Sequence, residues 1–291
     1  MNVLVTGGDG QLGRNIMDVA VNSEHTFIYT FHRGEDREGR VRLDITDKDA
    51  VMKVMADYDV DVVINCAGYT DVERAEAEED IAFKANAEAV AVLAEAAKSR
   101  GATLIHISSD YIFDGTATEP IGESAAASPL SAYGRSKLAG ELALLASGCP
   151  SIIIRTSWLY SSHGKNFVKT ILEKSLERPV LKVVADQIGT PTYAGDLAEF
   201  ILTLLEPDNL VKTGIYNYSN EGACSWYDLA AAACKISGRT CEVTPCKTGE
   251  YPVKAARPLY SVLDKTKVKA VFGIDIPHWQ DSLCRFLSTL C

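Results

Sequence analysis

The chain has 291 residues, 47% apolar and 23% charged, with a formal net charge of −10. Enough apolar side chains are present for a sizeable core, which excludes an intrinsically disordered chain. The negative charge argues against nucleic acid or an anionic membrane as the main partner, and no apolar run reaches the roughly 18 residues of a membrane span.

Residues 2–6 read as a short apolar strand ending in glycines, and 11–21 carry helical spacing. A strand rich in β-formers is expected at 25–31, an extended piece at 40–43 and a helix at 50–58. Residues 60–65 read as a buried strand, 81–100 as a long Ala-rich helix and 103–108 as another strand. A helix at 132–146 and a strand at 151–156 close this half. Apolar strands alternating with helices predict right-handed crossovers and a parallel sheet covered on both faces. The expected fold class is therefore α/β, a doubly wound parallel sheet of Rossmann type, with ligands beyond the carboxyl ends of the strands.

Beyond residue 156 the pattern loosens. Helices are expected at 166–176, 193–205 and 277–290, a strand at 181–185, and loops at 186–191 and 249–258. Residues 1–156 thus read as the Rossmann domain. Residues 157–291 read mainly as a smaller substrate-binding lobe, with some segments returning to the first domain. The chain opens on Met1-Asn2-Val3-Leu4 with no secretory pattern, so a cytoplasmic protein is expected. Its eight cysteines form no Cys-x-x-Cys pair, and reduced thiols are expected rather than a disulfide framework or metal site.

Thr6-Gly7-Gly8-Asp9-Gly10-Gln11-Leu12-Gly13 joins the first strand to the first helix. Glycines there permit a tight turn and close approach of backbone to a pyrophosphate, which the helix N-terminus attracts. Gly7, Gly10, Gln11, Leu12 and Gly13 are the expected cofactor contacts. At the end of the second strand, where a carboxylate would select NAD, stand His32 and Arg33, with Arg37 nearby. A guanidinium suits a 2′-phosphate, which favours NADPH and leaves NADH possible. Asp44 and Ile45 are placed at the adenine, and Ala67, Gly68 and Tyr69, after the strand at 60–65, along the cofactor.

Tyr133 and Lys137 are four residues apart, hence one helical turn apart on one face. An ammonium beside a phenol stabilises phenolate, which fits Tyr133 for proton exchange with a carbonyl or alcohol oxygen. Lys137 can also hold ribose hydroxyls. Ser109, at the end of the strand at 103–108, can align the reacting oxygen.

A Gly-rich turn, a strand-end Ser and a downstream Tyr-x-x-x-Lys in this order resemble the extended short-chain dehydrogenase/reductase family. Residues 6–13, 65–76, 108–115, 128–141, 155–160, 166–169, 186–192 and 256–258 resemble its branch acting on dTDP-linked 4-keto sugars. The resemblance implies NAD(P)H-dependent reduction of the C4 ketone of dTDP-4-dehydro-β-L-rhamnose to dTDP-β-L-rhamnose. It makes Tyr133 the general acid, with Lys137 and Ser109 beside it. It puts Asp110, Tyr111 and Trp158 at the sugar and Arg257 at the diphosphate. Where some members carry a metal-binding Glu early in the first helix, this chain has Arg14-Asn15, so neither that Mg²⁺ nor that dimer is expected. The chain also has Leu259-Tyr260-Ser261 where Gly-Asn-Ser is common. The expected partners are a dTDP-sugar, no nucleic acid and no membrane, for a monomer or homodimer. Alternatives from the same residues are a reductase of a related nucleotide 4-keto sugar, an epimerase, or a non-catalytic NADP-binding subunit like that of methionine adenosyltransferase.

Overall fold

The computed structural model describes residues 1–32, 40–250 and 254–290. In chain order, β1 (Asn2–Thr6) feeds α1 (Gln11–Val19), followed by β2 (Thr26–Phe31), β3 (Arg40–Arg42), α2 (Lys48–Asp57) and β4 (Val62–Asn65). Next come α3 (Val72–Ala75), α4 (Glu79–Phe83), α5 (Ala89–Arg100), β5 (Thr103–Ser109), α6 (Ala132–Ser147) and β6 (Ser151–Thr156). The later elements are β7 (Leu159–Tyr160), α7 (Phe167–Glu177), β8 (Val180–Val184), β9 (Ile188–Gly189), β10 (Thr192–Tyr193), α8 (Ala194–Thr203) and α9 (Pro207–Leu210). They continue with β11 (Gly214–Asn217), β12 (Cys224–Ser225), α10 (Trp226–Ile236), β13 (Glu242–Cys246), α11 (Thr266–Phe272) and α12 (Trp279–Ser288).

Seven parallel strands form the central sheet in the order β11-β6-β5-β4-β1-β2-β3. This is the expected doubly wound α/β fold. Successive side chains of a strand point to opposite faces, so Val3 and Val5 pack with Leu12, Ile16, Leu197 and Ile201 of α1 and α8. Leu4 packs on the other face with Val51, Met55, Leu93 and Leu144 of α2, α5 and α6. The chain changes direction across the sheet between β1 and β4, so the loops after these strands diverge and open a crevice at their carboxyl ends. β11 carries residues beyond 156 back to the sheet, beside β6.

The helix expected over 81–100 is divided. α4 passes into a π-helical turn, Lys84–Glu88, before α5 begins. A π turn widens the helix and re-aims a side chain, here that of Asn86, which bonds the backbone of Tyr69 in both directions. Several elements had no counterpart in the sequence reading, among them β11, α10, β13 and α11. α10 did announce itself, since Ser225 and Asp228 form a reciprocal capping box at its start. The later elements gather Tyr160, Leu172, Leu229, Trp279 and Phe286 into a separate apolar cluster. Seven cysteines are free among the described residues, and no described helix is long and apolar enough to cross a membrane.

Candidate active site

The glycine turn shapes the floor of the crevice. Gly7 has φ +68°, and a Cβ there would lie 2.7 Å from the Ala67 nitrogen. A Cβ on Gly13 would meet the Gly7 carbonyl oxygen at 2.4 Å. The turns after β1 and β4 therefore touch backbone to backbone, with Ala67 against Gly7. Gly10 is the N-cap of α1 and makes no side-chain cap bond, so the N-terminal N–H groups of Gln11, Leu12 and Gly13 remain available to an anion. A cradle that any side chain would fill, closed by an uncapped helix N-terminus, fits a dinucleotide pyrophosphate.

At the outer end of the crevice His32 is exposed after β2, while Arg33 and Arg37 lie outside the described residues. Two guanidinium groups that the sequence reading passed over stand here. Arg40 lies over the Phe31 ring at 3.7 Å, and Arg40 and Arg14 both pair with Asp9, at 3.4 and 3.0 Å. Asp44 accepts from the Thr46 amide and hydroxyl, at 2.9 and 2.8 Å. The amide bond chiefly holds its carboxyl below the usual range. Ile45 buries its side chain in the sheet core, so any binding role falls to its backbone.

Tyr69 turns its hydroxyl to Glu78 at 2.7 Å, and its amide donates to Asn86 Oδ1 at 2.8 Å. Asn86 also donates to Ser136 Oγ at 2.9 Å and leaves no room for a Cβ on Gly68. It thus ties the loop after β4 to the helix bearing Tyr133. The sequence reading missed this residue, whose one signal is a buried amide inside an Ala-rich helix.

α6 begins at a well-determined place. Ser131 caps it through the Gly134 amide at 3.1 Å, and Glu76 accepts the Ala132 amide at 2.8 Å. A Cβ on Gly134 would strike the Tyr111 carbonyl oxygen at 2.2 Å, so the helix start lies directly against the segment after β5. That contact sets the Tyr133 and Tyr111 rings edge to face, 5.5 Å apart, and brings the Tyr133 hydroxyl to the hydroxyl of Ser109. One turn on, Lys137 donates to the Ile107 carbonyl at 2.6 Å. Burial pushes the Tyr133 hydroxyl up to about 12, with the Ser109 bond opposing it. Burial pulls the Lys137 ammonium down to about 8, while the carboxylate of Glu141 favours its charge. Beneath them burial and the Lys137 charge keep His106 neutral.

Asp110 is 1% exposed, and its Oδ2 has no hydrogen-bond partner in the described structure. Burial raises its carboxyl to about 6, moderated by bonds from Ser261 and Ser109. Ser261, the last residue of the Leu259-Tyr260-Ser261 run, also lines the close contact of Gly189 with Trp158: a Cβ on Gly189 would meet their side chains at 2.9 and 2.7 Å. Trp158 has φ +47° and stacks on Trp226 at 3.6 Å, so one indole face is already covered. Arg257 bonds the Tyr111 hydroxyl, and its buried Nε has no partner among the described residues. Its loop is drawn in because Gly115 (φ +77°) packs where a Cβ would sit 2.4 Å from Pro258. Ser109, Asp110, Tyr111, Tyr133, Lys137 and Arg257 therefore form one group, with Trp158 reaching it through Gly189 and Ser261.

A family model described as the RmlD substrate binding domain matches residues 1–291. A dTDP-4-dehydrorhamnose reductase of Aggregatibacter actinomycetemcomitans is 40% identical over 290 residues, covering 97% of this chain and 96% of that protein. A crystal structure of a dTDP-4-dehydrorhamnose reductase from Clostridium acetobutylicum superposes with a TM-score of 0.92 at 40% identity, covering 100% of this chain and 99% of that one. A Bacillus anthracis reductase of the same name, solved in complex with NADP, gives a TM-score of 0.91 at 35% identity, with 100% and 99% coverage.

Proposed function

The chain belongs to the RmlD substrate binding domain family, and from that premise we infer that it is an NADPH-dependent dTDP-4-dehydrorhamnose reductase. It reduces the C4 ketone of dTDP-4-dehydro-β-L-rhamnose to give dTDP-β-L-rhamnose. The observation carrying this reading is a buried phenol bonded to a Ser hydroxyl, with a lysine one helical turn on, at the sheet end where the glycine cradle opens.

NADPH, when bound, supplies the hydride that reduces C4. Gly7, Gly10 and Gly13 admit its pyrophosphate to the N-terminus of α1, and Ala67 packs against that turn, with Gly68 following it. Tyr133 keeps its proton at neutral pH and gives it to the C4 oxygen, while Ser109 donates to the same oxygen and fixes its position. Lys137, anchored on Ile107, stabilises the tyrosinate left behind and takes the ribose hydroxyls. Asp110, ionised above about pH 6, accepts from sugar hydroxyls with its unpartnered Oδ2. Tyr111 and Trp158 wall the sugar, and Arg257 pairs with the diphosphate. The residues beyond 156, apart from α8, β11 and α11 on the sheet, supply this substrate lobe. The proposal places the enzyme in the cytoplasm as a monomer or homodimer.

Chromatography of the products after incubation with NADPH and dTDP-4-dehydro-β-L-rhamnose tests the assignment. NADPH loss matched by dTDP-β-L-rhamnose is expected. An isomerised 4-keto sugar with NADPH unconsumed would favour epimerisation instead.

Two further outcomes follow from the geometry. Gly7→Ala places a Cβ against Ala67 in a left-handed backbone. It should weaken NADPH binding by roughly tenfold or more and lower stability by about 1 kcal/mol or more. Fluorescence titration and a denaturation curve read the two effects, and unchanged NADPH affinity would contradict the cradle. The second outcome concerns pH. Lys137 is cationic below about 8 and loses its proton as pH rises through that value. NADPH affinity and turnover should both decline across that interval, and profiles flat to well above it would contradict the role given to the ammonium.

A further inference from the structure

The acidic turn at residues 71–79 holds the site together from outside. Glu76 accepts the Ala132 amide at the start of α6, and Glu79 pairs with Arg135 at 2.9 Å on the same helix. Glu73 reaches across to a segment 181 residues later in the chain. Its Oε1 accepts the Lys254 amide and its Oε2 the Ala255 amide, the latter at 3.4 Å. Charge-assisted bonds from two consecutive amides to one carboxylate fix the position and direction of a backbone. Residues 254–259 belong to no helix or strand. The segment is held again beyond Arg257, where the Leu259 carbonyl accepts from the Ile188 amide at 2.8 Å, the Tyr260 amide donates to the Gly115 carbonyl at 3.2 Å and Pro258 packs on Gly115. Arg257 is thus suspended between two anchors, two residues past Ala255, with its guanidinium on the Tyr111 hydroxyl and its Nε unpartnered among the described residues.

We propose that Glu73 is a positioning residue for substrate: by clamping the Lys254 and Ala255 amides it sets Arg257 to receive the diphosphate of the nucleotide sugar. This rests on the reading of Arg257 given above. Because the same turn also grips the first residues of α6, it fixes the diphosphate anchor relative to Tyr133. Glu73 itself touches neither Tyr133, Lys137 nor the glycine turn in any bond the structure records, so its effect belongs to the substrate and not to the cofactor.

The experiment is calorimetric titration of dTDP and, separately, NADPH into wild-type, Glu73→Ala and Glu73→Gln proteins, with melting temperatures and steady-state kinetics in parallel. For Glu73→Ala the dTDP dissociation constant and the sugar KM should rise roughly tenfold or more, the scale on which a misplaced clamp acts. The NADPH dissociation constant and kcat should stay within about twofold. Glu73→Gln keeps an acceptor oxygen for one amide and should fall between the two. A folded Glu73→Ala that binds dTDP as tightly as wild type would overturn the proposal. So would equal weakening of dTDP and NADPH, which marks a general loosening. Wild-type protein that binds NADPH but no dTDP would overturn the reductase reading itself, and with it the role of Arg257.

Discussion

Tyr133→Phe is expected to lower turnover by a factor of about 10² to 10⁴, the range for losing a general acid, with NADPH affinity within about twofold of wild type. The substitution removes one hydroxyl and leaves the ring that packs edge to face on Tyr111, so the fold around it has no reason to move. What disappears is the proton source. The alkoxide that forms at C4 would then take its proton from water in a site whose other donors are Ser109, a far weaker acid, and Lys137, which is anchored on Ile107 and turned to the ribose. Stopped-flow turnover beside an NADPH titration separates the two quantities. A Phe variant that retains a third or more of wild-type kcat would remove Tyr133 from the mechanism.

The largest stability effect is expected at Glu141. This carboxylate is 1% exposed and meets Arg155, 4% exposed, through three bonds: Nε to Oε1 at 3.0 Å, Nε to Oε2 at 3.2 Å and Nη2 to Oε2 at 2.7 Å. Arg155 spends its remaining nitrogen on the Glu123 carbonyl at 3.0 Å. Breaking such a pair leaves a buried guanidinium without its counter-charge, which costs about 3 to 5 kcal/mol. Glu141→Ala should therefore shift the urea midpoint strongly downward at unchanged slope. Replacing both partners by Leu should restore most of the loss, because neither charge is then stranded. If the single variant were no less stable than the double, the pair would not be holding α6 to β6. Glu141 also lies one turn beyond Lys137 and favours its charge, so removing it should move the decline in NADPH affinity to lower pH.

The sheet was legible because its strands are buried on both faces. Residues such as Val62, Val63 and Ile64 therefore form unbroken apolar runs rather than alternating ones. The same logic hid β11: its four residues, Gly-Ile-Tyr-Asn, carry too little apolar signal, and it joins the sheet only because β6 offers a free edge. Tyr133 and Lys137 share a face through a spacing that any helix would honour, which is a local property. Contacts closing the site from a distance were not readable. Arg257 meets Tyr111 because Gly115 lacks a Cβ where Pro258 arrives, a contact across more than half the chain. The Asn86 bonds depend on a π turn that helical periodicity does not encode. Arg14 and Arg40 converge on Asp9 only once β3 lies beside β2. The indole of Trp158 looked free to face a sugar, whereas Trp226, distant in sequence, covers one side of it.

Turnover with NADPH deuterated at the transferable position, followed by NMR of the sugar product, follows the hydride from the nicotinamide to C4 of the dTDP-linked ketosugar. Deuterium is expected at C4 of dTDP-β-L-rhamnose, one per NADPH consumed. Product lacking deuterium at C4, or ketosugar recovered unreduced from protein shown to bind both NADPH and dTDP, would contradict that transfer.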